Sequence, residues 1–413
     1  MSKKKVIVIS DHALSTSGVG VQTRHLLNGL VKKGVWTFRQ LGAAIKHDSY
    51  EPIAVNEDFI IKPIDGFGNK EMIRSLLVTE KPDALLIFTD PRFFTWLFDM
   101  EDEVHQICPI LWWHVWDNRP TPRFNDFYYE ATDAINCHSY LTYMMCRENF
   151  PDKTGFIPHA IPEEIFYPLP QQQIDNFKQN ILGEKKDHFI CFWVNRNARR
   201  KRPGDLLQSW RIFLDELQEK YGHKKASLIM HTDPLDKEGP NLIEVSKMLG
   251  ISDNVIFSSQ KVGFQEINVL HNIADCTINI SNAEGFGLST LEAMQTGTPI
   301  IAVKTGGQTR QVVNHKDFSQ NGIALDVEFK TLVGSQTVPY IYEDYVSSST
   351  IGRAILKMYE WGPEKRKEIG LRAREYALSE FAYQKTVDQW HDSLVDTIEN
   401  WRERRQTLRM ETF

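Results

Sequence analysis

Short runs rich in Val and Ile recur between stretches of helical periodicity through most of this chain, and that alternation points to parallel strands covered by helices on both faces. Lys5 to Ser10 reads as the first buried strand, Asp11 to Gly20 as a polar loop rich in Gly and Ser, and Val21 to Lys33 as a helix. That helix turns Leu26, Leu27, Leu30 and Val31 inward and is stopped by Gly34. Further strands are expected at Ala84 to Phe88, Pro109 to His114, Ala134 to Cys137 and Gly155 to Pro158, completing a first doubly wound domain over residues 1–168.

Between Ile161 and Lys186, three prolines (Pro162, Pro168, Pro170), three glutamines and Gly183 break regular structure, so 169–186 reads as a linker. The alternation then resumes as a second domain over 187–380. Its strands are expected at Phe189 to Val194, Ser227 to His231, Val255 to Ser258 and Thr277 to Ser281, with helices at Gly204 to Glu219 and around Asn241 to Leu249. Past Ser347 the pattern is helical and charged, and 381–413 is expected to hold one long helix, Gln384 to Arg405. A chain of 413 residues is too long for one ordinary core and suits this two-domain division.

Composition excludes several classes. With 41% hydrophobic, 25% charged and 11% aromatic residues the chain is neither disordered nor fibrous. A net charge of -6 gives it no general reason to coat nucleic acid or an anionic bilayer, although peripheral membrane contact stays open. Cys108, Cys137, Cys146, Cys191 and Cys276 are widely spaced, form no Cys-x-x-Cys pair and read as reduced core thiols. The lysines at positions 3–5 run straight into Val6-Ile7-Val8-Ile9, too short an apolar run for a signal peptide or a membrane span, which makes the cytoplasm the expected compartment.

The most informative stretch runs from Ser281 to Val303 and reads strand, turn, helix, strand. Gly285 and Gly287 allow close approach of backbone to a ligand, and the helix opening near Leu288 aims free N–H groups and its positive end at the turn. A phosphate or diphosphate suits that place. Glu284 precedes the helix and Glu292 lies on its second turn, so one carboxylate reaches beyond the phosphates while the other accepts from paired hydroxyls such as those of a ribose. A second cluster, Asn195 to Pro203, leaves the first strand of the second domain with five cations in seven residues at a carboxyl edge, and such a cluster wants an anion.

Glu284, seven intervening residues and Glu292, with Gly285-Phe286-Gly287 inside and Gly297-Thr298-Pro299 after, resemble the E-x7-E signature of GT-B glycosyltransferases, especially the retaining family 4, glycosyl transferases group 1. The resemblance implies an α/β fold of two doubly wound Rossmann-like domains facing each other across a cleft. It implies transfer of a sugar from a nucleoside-diphosphate sugar to an acceptor hydroxyl of a glycan, a lipid-linked or a small molecule, with retained configuration. By position, Arg196 and Lys201 inherit the binding of the donor diphosphate and the stabilisation of the leaving group, joined by Glu284 as a catalytic carboxylate. Gly285, Phe286, Gly287, Leu288, Ser289 and Glu292 inherit the rest of the donor site, and Asn195 stands where the family usually has glycine.

In the first domain, Gly18 and Gly20 match the family's first-strand glycine loop, and His114 matches a histidine that relatives place at a strand end beside the transferred sugar. Among the aromatic residues between Phe93 and Tyr129, Trp116 and Phe124 are the acceptor candidates. His12, His25, His138 and His159 carry no assigned chemistry. The terminal helix in this fold commonly crosses back onto the first domain. The sequence contains no Asp-x-Asp, so no metal and no cofactor is expected, and the cations and helix dipole carry leaving-group stabilisation.

A phage-like DNA-modifying glycosyltransferase is permitted by Arg402-Glu403-Arg404-Arg405 and the aromatic first domain, but the net charge counts against it, so DNA is not the favoured partner. A dinucleotide-dependent oxidoreductase lacks its third glycine and acidic partner. A non-catalytic sugar-nucleotide binding module does not explain why both Glu284 and Glu292 are present.

Overall fold

A computed structural model describes residues 3–406. The chain divides into two compact units, one formed by residues 1–160, 334–340 and 383–413, the other by 161–333 and 341–382.

The first unit holds eight strands: β1 (Lys4–Asp11), β2 (Trp36–Ala43), β3 (Ile53–Asn56), β4 (Phe59–Pro63), β5 (Ala84–Phe88), β6 (Ile110–His114), β7 (Ala134–Cys137) and β8 (Thr154–Phe156). They form one sheet in the order β3-β4-β2-β1-β5-β6-β7-β8, parallel except for the β3/β4 pair. Strands covered on both faces need apolar side chains in both directions, which is why they read as continuous runs. Val6 and Val8 of β1 and Leu111 and Trp113 of β6 enter one core, while Ile7, Ile9, Ile110 and Trp112 enter the other. The helix after β1 spans Gly18–Val31, so it opens on the residues expected to end the loop, with Ser17 as its cap. The Ser17 hydroxyl accepts from Gly20 N at 3.0 Å, and that bond recruits the two glycines into the first turn.

The helix Tyr383–Gln406 belongs to this same unit and seats Val387, Trp390 and Leu394 in the core that holds Val6 and Leu27. Asp388 pairs with Lys33 at 2.5 Å, and Trp36 Nε1 donates to His391 Nδ1 at 3.0 Å. Residues 407–413 of the expected terminal segment lie outside the described residues.

The second unit is built on β9 (Phe189–Val194), β10 (Ala226–His231), β11 (Val255–Ser258), β12 (Cys276–Asn279), β13 (Ile300–Val303) and β14 (Gly322–Leu325), all parallel in the order β11-β10-β9-β12-β13-β14. A separate antiparallel hairpin, β15 (Phe329–Val333) with β16 (Ile341–Tyr345), follows. The stretch 169–186, expected to be a linker, is instead largely the helix Gln171–Leu182, because Ile174, Phe177 and Leu182 share a face that packs into the core of this unit. All five cysteines are buried and unpaired. Among the described residues, no helix is long and apolar enough to cross a membrane.

Candidate functional site

Because the second sheet is wholly parallel, the carboxyl ends of its strands lie on one edge, and the loops that leave them carry the chemically loaded residues. From β12 the chain enters a tight turn. Asn279 Oδ1 accepts from Ser281 N at 3.1 Å and from Ser281 Oγ at 2.7 Å, which fixes the exit direction. Gly287 at φ +91° begins the helix Leu288–Thr296, and no side chain caps that helix. Its first N–H groups therefore have no side-chain acceptor, the arrangement a phosphate oxygen completes. The next loop braces the turn from outside. Gly307 N donates to Glu284 O at 2.9 Å, and Gln311 Nε2 donates to Phe286 O at 2.8 Å.

Lys201 and Glu284 come together here as an ion pair with each side chain only 10% exposed. Burial alone would raise the Glu284 pKa, but the nearby Lys201 and Arg200 charges bring it down to about 2. Arg200 stands 3.9 Å from the same carboxylate oxygen and donates to Ala283 O at 3.1 Å. The three groups sum to one net positive charge beside the open helix end.

Arg196 is not part of that cluster. Its side chain is 64% exposed, and the guanidinium holds Asp236, in the loop after β10, at 2.7 and 3.2 Å. Arg199 binds Glu343, with one contact at 2.9 Å, and Arg202 binds Asp205 and Val346 O at 2.8 and 3.1 Å. Asn197 pins the loop by donating to Pro240 O at 2.9 Å. Of the five cations, Lys201 and Arg200 face the turn. Arg200, which the spacing of the motif does not single out, is the residue that sequence reasoning missed.

Glu292 lies on the second turn of the helix, with its side chain 17% exposed and its Oε2 3.4 Å from His271 Nε2. Ser289 is buried and Leu288 half-buried against the core. Phe286, expected in the donor site, is a core ring: it is 5% exposed and meets Phe381 edge-on at 5.6 Å, so only its backbone lies on the turn.

In the first unit, Gly20 packs so tightly that an added Cβ would lie 2.4 Å from His12 O, and Gly18 is the first helical residue. His114 is fully buried, with Nε2 2.8 Å from the Tyr129 hydroxyl and its ring 4.2 Å from that of Trp112. That enclosure differs from the sugar-facing position expected of it, because Trp112 and Tyr129 close around the strand end. Trp116 is likewise a buried ring, 4% exposed, with the half-buried Phe124 at 5.7 Å.

Residues 174–332 match the family model described as Glycosyl transferases group 1. Sucrose-phosphate synthase from Thermosynechococcus elongatus superposes with a TM-score of 0.71 at 15% identity, over 94% of this chain and 98% of that one. Anabaena HepE in complex with UDP and glucose does so at 0.70 and 14%, over 95% and 100%. The chain has the GT-B fold, with a group 1 glycosyltransferase domain. Among curated relatives of this GT-B chain, N-acetyl-alpha-D-glucosaminyl L-malate synthase of Bacillus anthracis is 23% identical over 273 residues, 65% of this chain and 61% of that protein. D-inositol 3-phosphate glycosyltransferase of Corynebacterium diphtheriae is 26% identical over 178 residues, 43% and 39% of the two. The chain thus spans about three fifths of the first relative's length and about two fifths of the second's.

Proposed function

We propose that this GT-B chain transfers a sugar from a nucleoside-diphosphate sugar to an acceptor hydroxyl, with retention at the anomeric carbon and without a metal ion. The observation that carries the reading is the buried Lys201–Glu284 pair beside the uncapped helix at Gly287, with Arg200 as a second cation. An ammonium has three donors, so Lys201 can hold Glu284 and still donate to a diphosphate oxygen. Together with the N–H groups at Leu288 and Ser289, Lys201 and Arg200 stabilise the charge that develops on the leaving diphosphate. Arg196 joins them once its guanidinium leaves Asp236. Glu292, about one turn along the helix from Leu288, accepts from the ribose hydroxyls.

The retained configuration follows from the group 1 resemblance, and the cytoplasm is the proposed compartment. HepE has been crystallised with UDP-glucose, which makes uridine diphosphate sugars the first donors to try. The DNA-directed reading loses support, since Arg404 is paired with Asp396 at 2.8 Å and Arg405 with Glu101 at 2.8 Å. Incubation of the purified chain with a panel of nucleoside-diphosphate sugars and candidate acceptors tests the proposal. Release of nucleoside diphosphate that depends on Lys201 and Glu284 is expected. Tight binding without turnover across the panel would instead favour a binding module.

A further inference from the structure

We propose that His271 is a positioning residue for Glu292 and thereby sets the preference of this chain for ribose over deoxyribose nucleotides. The inference rests on the reading above that Glu292 takes the ribose hydroxyls. His271 lies on the helix Phe264–Ile273 and is fully buried. Its ring meets Phe192 edge-on at 4.9 Å and Phe166 at 5.9 Å. An apolar residue would fill that space at no desolvation cost, whereas an imidazole there is costly unless both nitrogens are bonded.

Both are. Nδ1 lies 3.0 Å from Thr277 Oγ1 at the start of β12, and Nε2 lies 3.4 Å from Glu292 Oε2. A carboxylate only accepts, so Nε2 carries the proton, and in the neutral ring Nδ1 accepts from the Thr277 hydroxyl. The carboxylate therefore fixes the tautomer, and the Thr277 hydroxyl, donating to Nδ1, holds the ring where Nε2 reaches Oε2. Oε2 is tied to the interior, while Oε1 has no hydrogen-bond partner among the described residues and is left for a ligand. The His271 carbonyl accepts from Thr298 Oγ1 at 2.8 Å, which anchors the end of its helix. His231, on β10, feels the Glu292 charge but bonds to Ser258 Oγ at 2.9 Å, so it does not share the positioning task.

The test measures binding of whichever of UDP, GDP and ADP the full chain holds most tightly, and of its 2′-deoxy counterpart. The unaltered protein should prefer the ribose form by about tenfold or more. In His271→Phe, affinity for the ribose form should fall by about tenfold while that for the deoxy form stays put, so the preference collapses towards one. His271→Gln, which keeps a donor, should recover most of the preference, and Thr277→Val should erode it several-fold. An intact preference in folded His271→Phe would overturn the proposal, as would equal loss for both nucleotides, the mark of a merely structural role. If His271→Phe does not fold, Thr277→Val decides alone, and an unchanged preference there overturns it. Glu292→Gln separates the two layers. If it retains the preference, the ribose reading of Glu292 fails and this proposal with it. If it loses the preference while His271→Phe keeps it, only the role of His271 is overturned.

Discussion

Lys201 and Glu284, 83 residues apart in sequence, form a buried ion pair that ties the loop after β9 to the turn after β12. Removing one member strands the other as a charge with little access to water, and for Glu284 only the more distant Arg200, at 3.9 Å, still offsets it. Lys201→Ala should therefore destabilise the chain by about 3 to 5 kcal/mol. Replacing both, as Lys201→Met with Glu284→Met, should cost clearly less than the single change, because no buried charge remains. Chemical denaturation of the set checks this, and a double variant as unstable as Lys201→Ala would contradict it.

The same pair makes stability depend on pH in a defined direction. Glu284 titrates at about 2 in the folded chain, against an ordinary glutamate value of roughly 4 when unfolded. A depressed folded-state pKa stabilises fully above the unfolded value, and that stabilisation, worth roughly 3 kcal/mol, is lost as pH falls from about 4 through about 2. The stability gap between the unaltered chain and the double methionine variant should shift by that amount across this window and stay flat above it. A gap that does not move would show that Glu284 is not held ionised by its neighbours.

What the sequence made legible follows from burial. The strands Ala84–Phe88, Ala134–Cys137, Phe189–Val194 and Val255–Ser258 stand where their apolar runs place them, because strands covered on both faces leave an uninterrupted signal. β2 leaves no such run because Arg39 and Gln40 interrupt it, and β3 and β4 are short strands joined through Glu57 and Asp58. Pro170 opens the helix Gln171–Leu182 and does not break it. The turn from Glu284 to Leu288 was legible because glycine spacing and helix onset are local properties. The direction each guanidinium takes was not: only the fold brings Asp236 to Arg196 and leaves Arg200 facing Glu284.

That difference in direction has kinetic consequences. Lys201→Ala and Arg200→Ala should each lower the turnover number by about 10²-fold, the loss associated with one preorganised electrostatic contact, with little change in acceptor KM. Arg196→Ala should do the same, because its guanidinium leaves Asp236 to join the site during the reaction, and a near-normal turnover would show that it stays on Asp236. Asp236→Asn then supplies the comparison, since weakening that hold should leave turnover unchanged or raise it. Steady-state kinetics on the four variants decides, and a sharp fall in Asp236→Asn would mean that the Arg196–Asp236 pair acts as a unit.

If Lys201, Arg200 and the helix end carry the leaving group, as proposed above, transfer does not depend on a divalent ion. Activity should survive EDTA and should not rise on addition of Mg²⁺ or Mn²⁺. Loss in EDTA with rescue by either ion would refute metal-free transfer.

Gly307 provides the sharpest test of how the phosphate turn is supported. It sits in the short turn Gly306–Gln308 after β13 and donates its N–H to Glu284 O at 2.9 Å. A Cβ at this position would lie 2.2 Å from Gly285 O and 2.7 Å from Phe286 Cα, and both are backbone atoms that cannot rotate aside. Gly307→Ala must therefore push the turn itself, displacing Glu284 from Lys201 and altering the start of the helix at Leu288. Overpacking of this kind should cost about 1 to 3 kcal/mol in stability. Nucleoside diphosphate affinity should fall by about tenfold or more, because the N–H groups lose their common aim. Gly204→Ala is the control. Its Cβ would meet only Pro240 Cγ at an ordinary 3.6 Å, in the first turn of the helix Pro203–Tyr221, so it should leave binding untouched and raise stability by about 0.4 to 1 kcal/mol. Calorimetric binding and thermal melts of the two variants read both effects, and unaltered nucleotide affinity in Gly307→Ala would show that the turn holds its shape without the brace.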